Sequence, residues 1–179
     1  MGDPAERILT APLALADAVD FELPDPERRF ERVSLYQEIA RPRVGPPFEL
    51  NGGAWQLRLP RPRADRLEYL LEIDGALTTD PTNPLRAPGP FGDKSVIEWP
   101  EYQTPRWLDT AAPAGTVEPV DIRYRRLDAS VRVLLYATPE RPTPGAPLLV
   151  VHDGPEYAQF SELTRFLDVM SSESRIPPL

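Results

Sequence analysis

The chain has 179 residues, 41% hydrophobic and 27% charged, a balance that fits a folded globular protein rather than a disordered one. A formal net charge of −8 leaves no basic footprint for replacing phosphate counterions or for docking on anionic lipid, which argues against nucleic-acid and membrane partners. With no cysteine, disulfides, thiolate metal sites and cysteine nucleophiles are excluded, and the composition fits a cytoplasmic protein.

The 24 prolines disfavour long helices, because proline lacks an N–H and clashes with the preceding helical turn, so they point to turns, edges and strands. Residues 1–29 read as an N-terminal arm. Ile8, Leu9, Leu13 and Leu15 suit a short helix that Pro12 interrupts, and Pro24 and Pro26 end the segment. The apolar stretch from Ile8 to Val19 follows Asp3 and Glu6 and is broken by Asp17, so it lacks the basic flank of a signal peptide and the length of a membrane span.

Residues 30–102 carry strand signals. Val33–Gln37 forms a first strand. Trp55, Leu57 and Leu59 share one face of a second, and Leu67, Tyr69, Leu71 and Ile73 share one face of a third. Asp74-Gly75 follows as a tight turn. Asp80-Pro81-Thr82-Asn83-Pro84 makes a rigid loop, continued by Gly89, Pro90, Phe91 and Gly92. Ser95–Trp99 is a later strand closed by Pro100. Short strands separated by turn signals predict a β-sandwich.

Residues 103–118 read as a linker, marked by Pro105 and Pro113, with Trp107 in need of a covering surface. From 119 to 179 the pattern changes. Val120–Tyr124 and Val131–Leu135 alternate and form an antiparallel hairpin through Leu127–Ser130. Arg141–Gly145 is a loop. Leu148–Val151 is a continuous apolar run of the kind found in a strand buried on both faces. Phe160–Met170 places Leu163, Phe166, Leu167 and Met170 at helical spacing, with Ser161 as N-cap. This order opens an α/β sheet that one buried strand and one helix do not complete.

Two stretches resemble one family, the bacterial esterases similar to enterochelin esterase. Tyr69–Gly75, Asp80–Pro84 and Ser95–Tyr102 resemble the immunoglobulin-like early-set domain that precedes the catalytic domain in that family. Leu148–Tyr157 resembles the early sheet strand and the loop beside the oxyanion hole. The resemblance implies a mainly β chain: an immunoglobulin-like (early-set) β-sandwich followed by the first strands and helix of an incomplete α/β-hydrolase sheet. It also implies ester hydrolysis by a serine in a G-x-S-x-G elbow, with the acid and the histidine later in the chain. Here Gly92-Asp93-Lys94-Ser95 is the nearest approach to the elbow, at the wrong spacing, and the single histidine, His152, precedes any nucleophile. The chain therefore reads as the front of such an esterase, cut off before its nucleophile and inactive by itself.

The residues the resemblance assigns to the oxyanion loop are His152, Asp153, Gly154, Glu156 and Tyr157; Pro155 has no N–H to donate. No catalytic residue, cofactor or metal is expected within the chain. Asp74, Asp80 and Asp93 fall in turns at spacings that fit no ligand pattern. The expected partners are a small ester in the intact parent and a second chain meeting the open sheet. Two other readings make the protein a glycan-binding module or an interaction domain without catalysis. The first of these needs Trp55, Trp99 and Trp107 exposed as a stacking platform, whereas the strand positions of Trp55 and Trp99 favour the core.

Overall fold

The computed structural model describes residues 11–126, 128–140 and 142–179. The expected roles of Ile8 and Leu9, and those of Leu127 and Arg141 in their loops, lie outside the described residues. The chain divides into two compact units, Met1–Gln103 and Thr104–Leu179.

The first unit contains ten strands: β1 (Leu13–Ala14), β2 (Ala18–Pro24), β3 (Val33–Gln37), β4 (Val44–Pro47), β5 (Glu49–Asn51), β6 (Ala54–Pro60), β7 (Arg66–Ile73), β8 (Ala76–Thr78), β9 (Arg86–Ala87) and β10 (Lys94–Glu98). One sheet runs β1-β2-β6-β5, and the other runs β4-β3-β7-β10-β9 with β8 also on β7. All pairings are antiparallel. The chain crosses between sheets at Phe48, which is buried and donates its N–H to Val33 O at 2.9 Å.

The expected alternation decides which side chains meet. Val19, Phe21, Leu23 and Trp55 from one sheet join Val33, Leu35, Leu67, Tyr69, Leu71 and Ile97 from the other in a single core cluster. The Phe21 ring meets Tyr69 edge-on, with centroids 5.2 Å apart. The fold is thus mainly β, a sandwich followed by a partial α/β unit.

Residues 18–24 correct the arm reading of 1–29. They form β2, the partner of β6 along its full length, from Ala18 opposite Pro60 to Pro24 opposite Ala54. The segment alternates like any half-buried strand, with Val19, Phe21 and Leu23 inward and Asp20 and Glu22 outward. Its proline stands at the strand end, where a missing N–H does little harm.

Two polar clusters fix the ends of strands. Asp25, fully buried just after β2, accepts hydrogen bonds from the N–H groups of Arg29 (2.9 Å) and Phe30 (3.1 Å) and from Trp55 Nε1 (3.1 Å). Burial alone would raise its pKa, but these donors hold the carboxyl below its ordinary value. Asp74 and Gly75, both at positive φ, turn β7 into β8, and Asp74 Oδ1 accepts the N–H groups of Glu31 and Arg32.

The loop Asp80–Pro84 closes a buried polar network. Tyr69 OH donates to Asp80 Oδ2 at 2.7 Å. Thr82 donates both its N–H (2.8 Å) and its hydroxyl (2.7 Å) to Asp80 Oδ1, and Asp80 N–H donates to Ser95 Oγ at 2.8 Å. Asn83 Nδ2 reaches Val96 O at 2.7 Å and Tyr69 OH at 3.1 Å. Burial and the neighbouring Asp80 charge push the Tyr69 phenol well above its ordinary range, so it stays a neutral donor.

The second unit begins with a short 3-10 turn, Arg106–Leu108, inside the segment expected to be a linker. Trp107 there packs edge-on against Phe166, with centroids 5.4 Å apart. The hairpin is longer than expected: β11 (Thr116–Tyr124) pairs with β12 (Ala129–Ala137), with Val120 opposite Val133 and Ile122 opposite Val131. Two helices follow, α1 (Gly154–Phe160) and α2 (Leu163–Ser172). The expected helix Phe160–Met170 is thus split, and Ser161 ends α1 while Glu162 stands at the N-cap of α2.

Leu148–Val151 corrects a second expectation. No strand is formed there, and Leu148, Leu149 and Val150 are 78%, 50% and 70% exposed. A strand needs a neighbour to take up its N–H and C=O groups. Among the described residues, no strand pairs with this run.

Replacing Tyr69 with Phe leaves Asp80 Oδ2 without its buried hydroxyl donor. Denaturant unfolding of Tyr69→Phe is expected to show a loss of about 1–3 kcal/mol. An unchanged midpoint would remove the network from the account of the sandwich.

Candidate functional site

The residues assigned to the oxyanion loop lie together in the second unit, where the chain turns into α1. His152 and Asp153 form the turn, and Gly154 is the first helical residue. Asp153 takes a left-handed conformation (φ 55°) as the helix N-cap, and its side chain makes no capping hydrogen bond. The turn leaves His152, Asp153, Glu156 and Tyr157 exposed and Gly154 half-buried.

The donors at this turn differ. Tyr157 N–H is engaged, donating to Asp153 O at 3.1 Å. Gly154 and Glu156 lie in the first helical turn, whose N–H groups have no partner within the helix. Pro155 between them donates nothing. The loop therefore offers two backbone donors, Gly154 and Glu156, beside an exposed imidazole.

The surroundings hold this loop through α2 rather than through α1. Asp168, buried in the middle of α2, accepts hydrogen bonds from Tyr136 OH and from Gly115 N–H (3.0 Å). Burial raises the Tyr136 pKa, and the hydrogen bond to Asp168 and that residue's charge add to the effect, so the phenol keeps its proton. Tyr136 OH also lies 3.3 Å from Thr164 O. A Cβ at position 115 would run into the Ala137 carbonyl and the Tyr136 ring, so glycine is what permits this approach. Arg165 donates to Trp107 O (3.3 Å) and Thr110 O (3.2 Å), and Arg106 grips Glu173 with two bonds of 2.7 and 2.8 Å. The sequence reading missed this anchoring. Its one available signal is an aspartate flanked by Leu167 and Val169 on the apolar face of a helix.

No catalytic constellation forms among the described residues. Ser95 of the imperfect elbow lies buried in β10, accepting from Asp80 N–H. No cluster of metal-ligating side chains occurs among the described residues, and Asp74 and Asp80 are occupied as turn acceptors. Trp55 and Trp99 are buried, which leaves no stacking platform from them, and Trp107 is half-covered by Phe166. No helix among the described residues is long and apolar enough to cross a membrane.

No family model and no curated protein matches the sequence. Solved structures do match by fold. Enterobactin esterase from Shigella flexneri, crystallised in the presence of enterobactin, superposes with a TM-score of 0.62 at 22% identity, covering 93% of this chain and 53% of that one. Ferric enterobactin esterase from Salmonella typhimurium gives a TM-score of 0.66 at 18% identity, covering 94% of this chain and 54% of that one. The chain thus spans about half the length of the solved structures it matches. At these identities the likeness establishes a shared fold.

An exposed His152, with no hydrogen bond to its ring among the described residues, has no packing role to lose. The variant His152→Ala is expected to shift stability by no more than about 0.5 kcal/mol in thermal unfolding. A clearly larger loss would mark His152 as a structural residue and remove it from the candidate site.

Proposed function

We propose that this chain supplies the front part of a serine carboxylic-ester hydrolase similar to enterochelin esterase, and that it carries an oxyanion loop but not the nucleophile. The observation that carries this reading is the fold match over 93% of the chain to enterobactin esterase. The loop at residues 152–157 and the lack of a G-x-S-x-G sequence support it. In this reading the sandwich is the immunoglobulin-like early-set domain, and the whole protein acts in the cytoplasm.

The chemistry follows from what the hydrolysis of an ester demands. Attack of a serine hydroxyl on the carbonyl carbon puts negative charge on the carbonyl oxygen, and fixed N–H donors stabilise that charge. The Gly154 and Glu156 N–H groups are the proposed donors from this chain. His152 supports the loop and does not act as the base, since the base must orient toward a serine that this sequence does not contain. The substrate class is a carboxylic ester, and the neighbours in fold suggest a siderophore lactone or a piece of one.

The direct test is turnover of p-nitrophenyl esters by the purified chain. Hydrolysis at the buffer rate is expected, with no saturation. Saturable hydrolysis that disappears in His152→Ala would contradict the proposal, because a complete active site would then reside within these residues.

A further inference from the structure

The two faces of the β11–β12 hairpin are unlike each other. Register places Val120, Ile122, Tyr124, Val131, Val133 and Leu135 on one face. These six are between 39% and 52% exposed. The charge on that face is Glu118, near one end, and the remaining positions are Thr116, Ala129 and Ala137. The opposite face is polar. It holds the Asp121–Arg132 pair, bonded at 3.0 and 3.2 Å, and it receives α2 through Tyr136.

We propose that a second copy of this chain covers the apolar face, the two hairpins packing face to face about a two-fold axis near Val120 and Val133. The six side chains leave on the order of 500 Å² of apolar surface open, at the top of what a monomer usually tolerates. Two such faces pressed together approach the roughly 1,200 Å² at which specific interfaces begin. A two-fold interface needs a surface that is complementary to itself, and a charge-free apolar centre meets that need. Two copies of a chain with net charge −8 repel each other, but the central part of this face contributes nothing to the repulsion. Addition of a strand at the β11 edge is hindered, because Pro119 interrupts its row of donors. Packing by faces is the mode left to that half of the hairpin. The inference stands apart from the catalytic reading, since ester turnover does not bear on it.

The absence of native cysteine makes the test direct. Val133→Cys sits at the centre of the apolar face, and Leu134→Cys sits on the opposite face of the same strand. Under mild oxidation the first is expected to form a disulfide-linked dimer at least tenfold faster than the second. In sedimentation velocity over a wide concentration range, the unmodified chain is expected to pass from monomer to dimer. Val133→Lys should weaken that dimer at least tenfold, and Leu134→Lys should leave it intact, with circular dichroism confirming that both variants fold. A chain that stays monomeric overturns the proposal. Equal cross-linking of the two cysteines, or equal loss of association in the two lysine variants, does so as well. If Val133→Lys fails to fold, the cysteine pair decides.

Discussion

Tyr69 donates its hydroxyl to Asp80 in a place from which water is excluded, and the second sheet of the sandwich is organised around that bond. A buried carboxylate is costly unless its lone pairs are taken up. Here Tyr69 and Thr82 take them up, while the backbone N–H of Asp80 is passed to Ser95 on β10. Asn83 then ties the same tyrosine to the Val96 carbonyl. The network therefore spans β7, the loop and β10, and it agrees with the register that sets Tyr69 opposite Ser95. A half-satisfied version would be worse than an apolar core, so the loop and the register must be right together. Pro81 and Pro84 restrict the unfolded loop and reduce the cost of ordering it.

Covering an apolar sheet face is the demand that the two units meet differently. In the first unit, two sheets cover each other, and the inward residues of β2, β3, β6, β7 and β10 are almost free of solvent. In the second, α2 is anchored on one side by Asp168, Arg165 and the contact between Trp107 and Phe166. The other side of the hairpin and the run Leu148–Val150 stay in water. Full burial of an aliphatic side chain contributes about 1.5–3 kcal/mol, so a row of half-exposed ones forgoes a sizeable share of the second unit's stability. That open surface sets the proposed oxyanion loop beside apolar residues that lack a cover. It is also what directs attention to a second copy.

Much of the sandwich was legible because alternation and turn chemistry act locally. Leu67–Ile73 followed by Asp74-Gly75 reads as a strand and a tight turn, and both residues of the turn take the positive φ it requires. The hairpin at 116–137 was legible for the same reason. β2 was not, although Val19, Phe21 and Leu23 alternate, because Pro24 and Pro26 marked the region as a break. The polar network was only half legible. The sequence marks Asp80–Pro84 as a rigid loop, but it does not reveal that Tyr69, eleven residues away, supplies the buried donor. Leu148–Val151 shows the opposite failure. An apolar run reports what a segment would bury, not whether a neighbour exists to pair with it. The candidate loop 152–157 was placed by resemblance. The engagement of the Tyr157 N–H, which separates it from Gly154 and Glu156 as a donor, appears only in the geometry.

The central claim is that the first unit closes its own core while the hairpin of the second is left open on one side. Native-state hydrogen exchange in dilute protein tests it most directly, because it reads the opening free energy of each strand separately. Amides of Leu67–Ile73 and Ser95–Ile97 should exchange near the limit set by global unfolding. Those of residues 116–124 and 129–137 should exchange orders of magnitude faster. Equal protection of the hairpin and the sandwich strands, at a concentration where the chain is monomeric, would contradict the account.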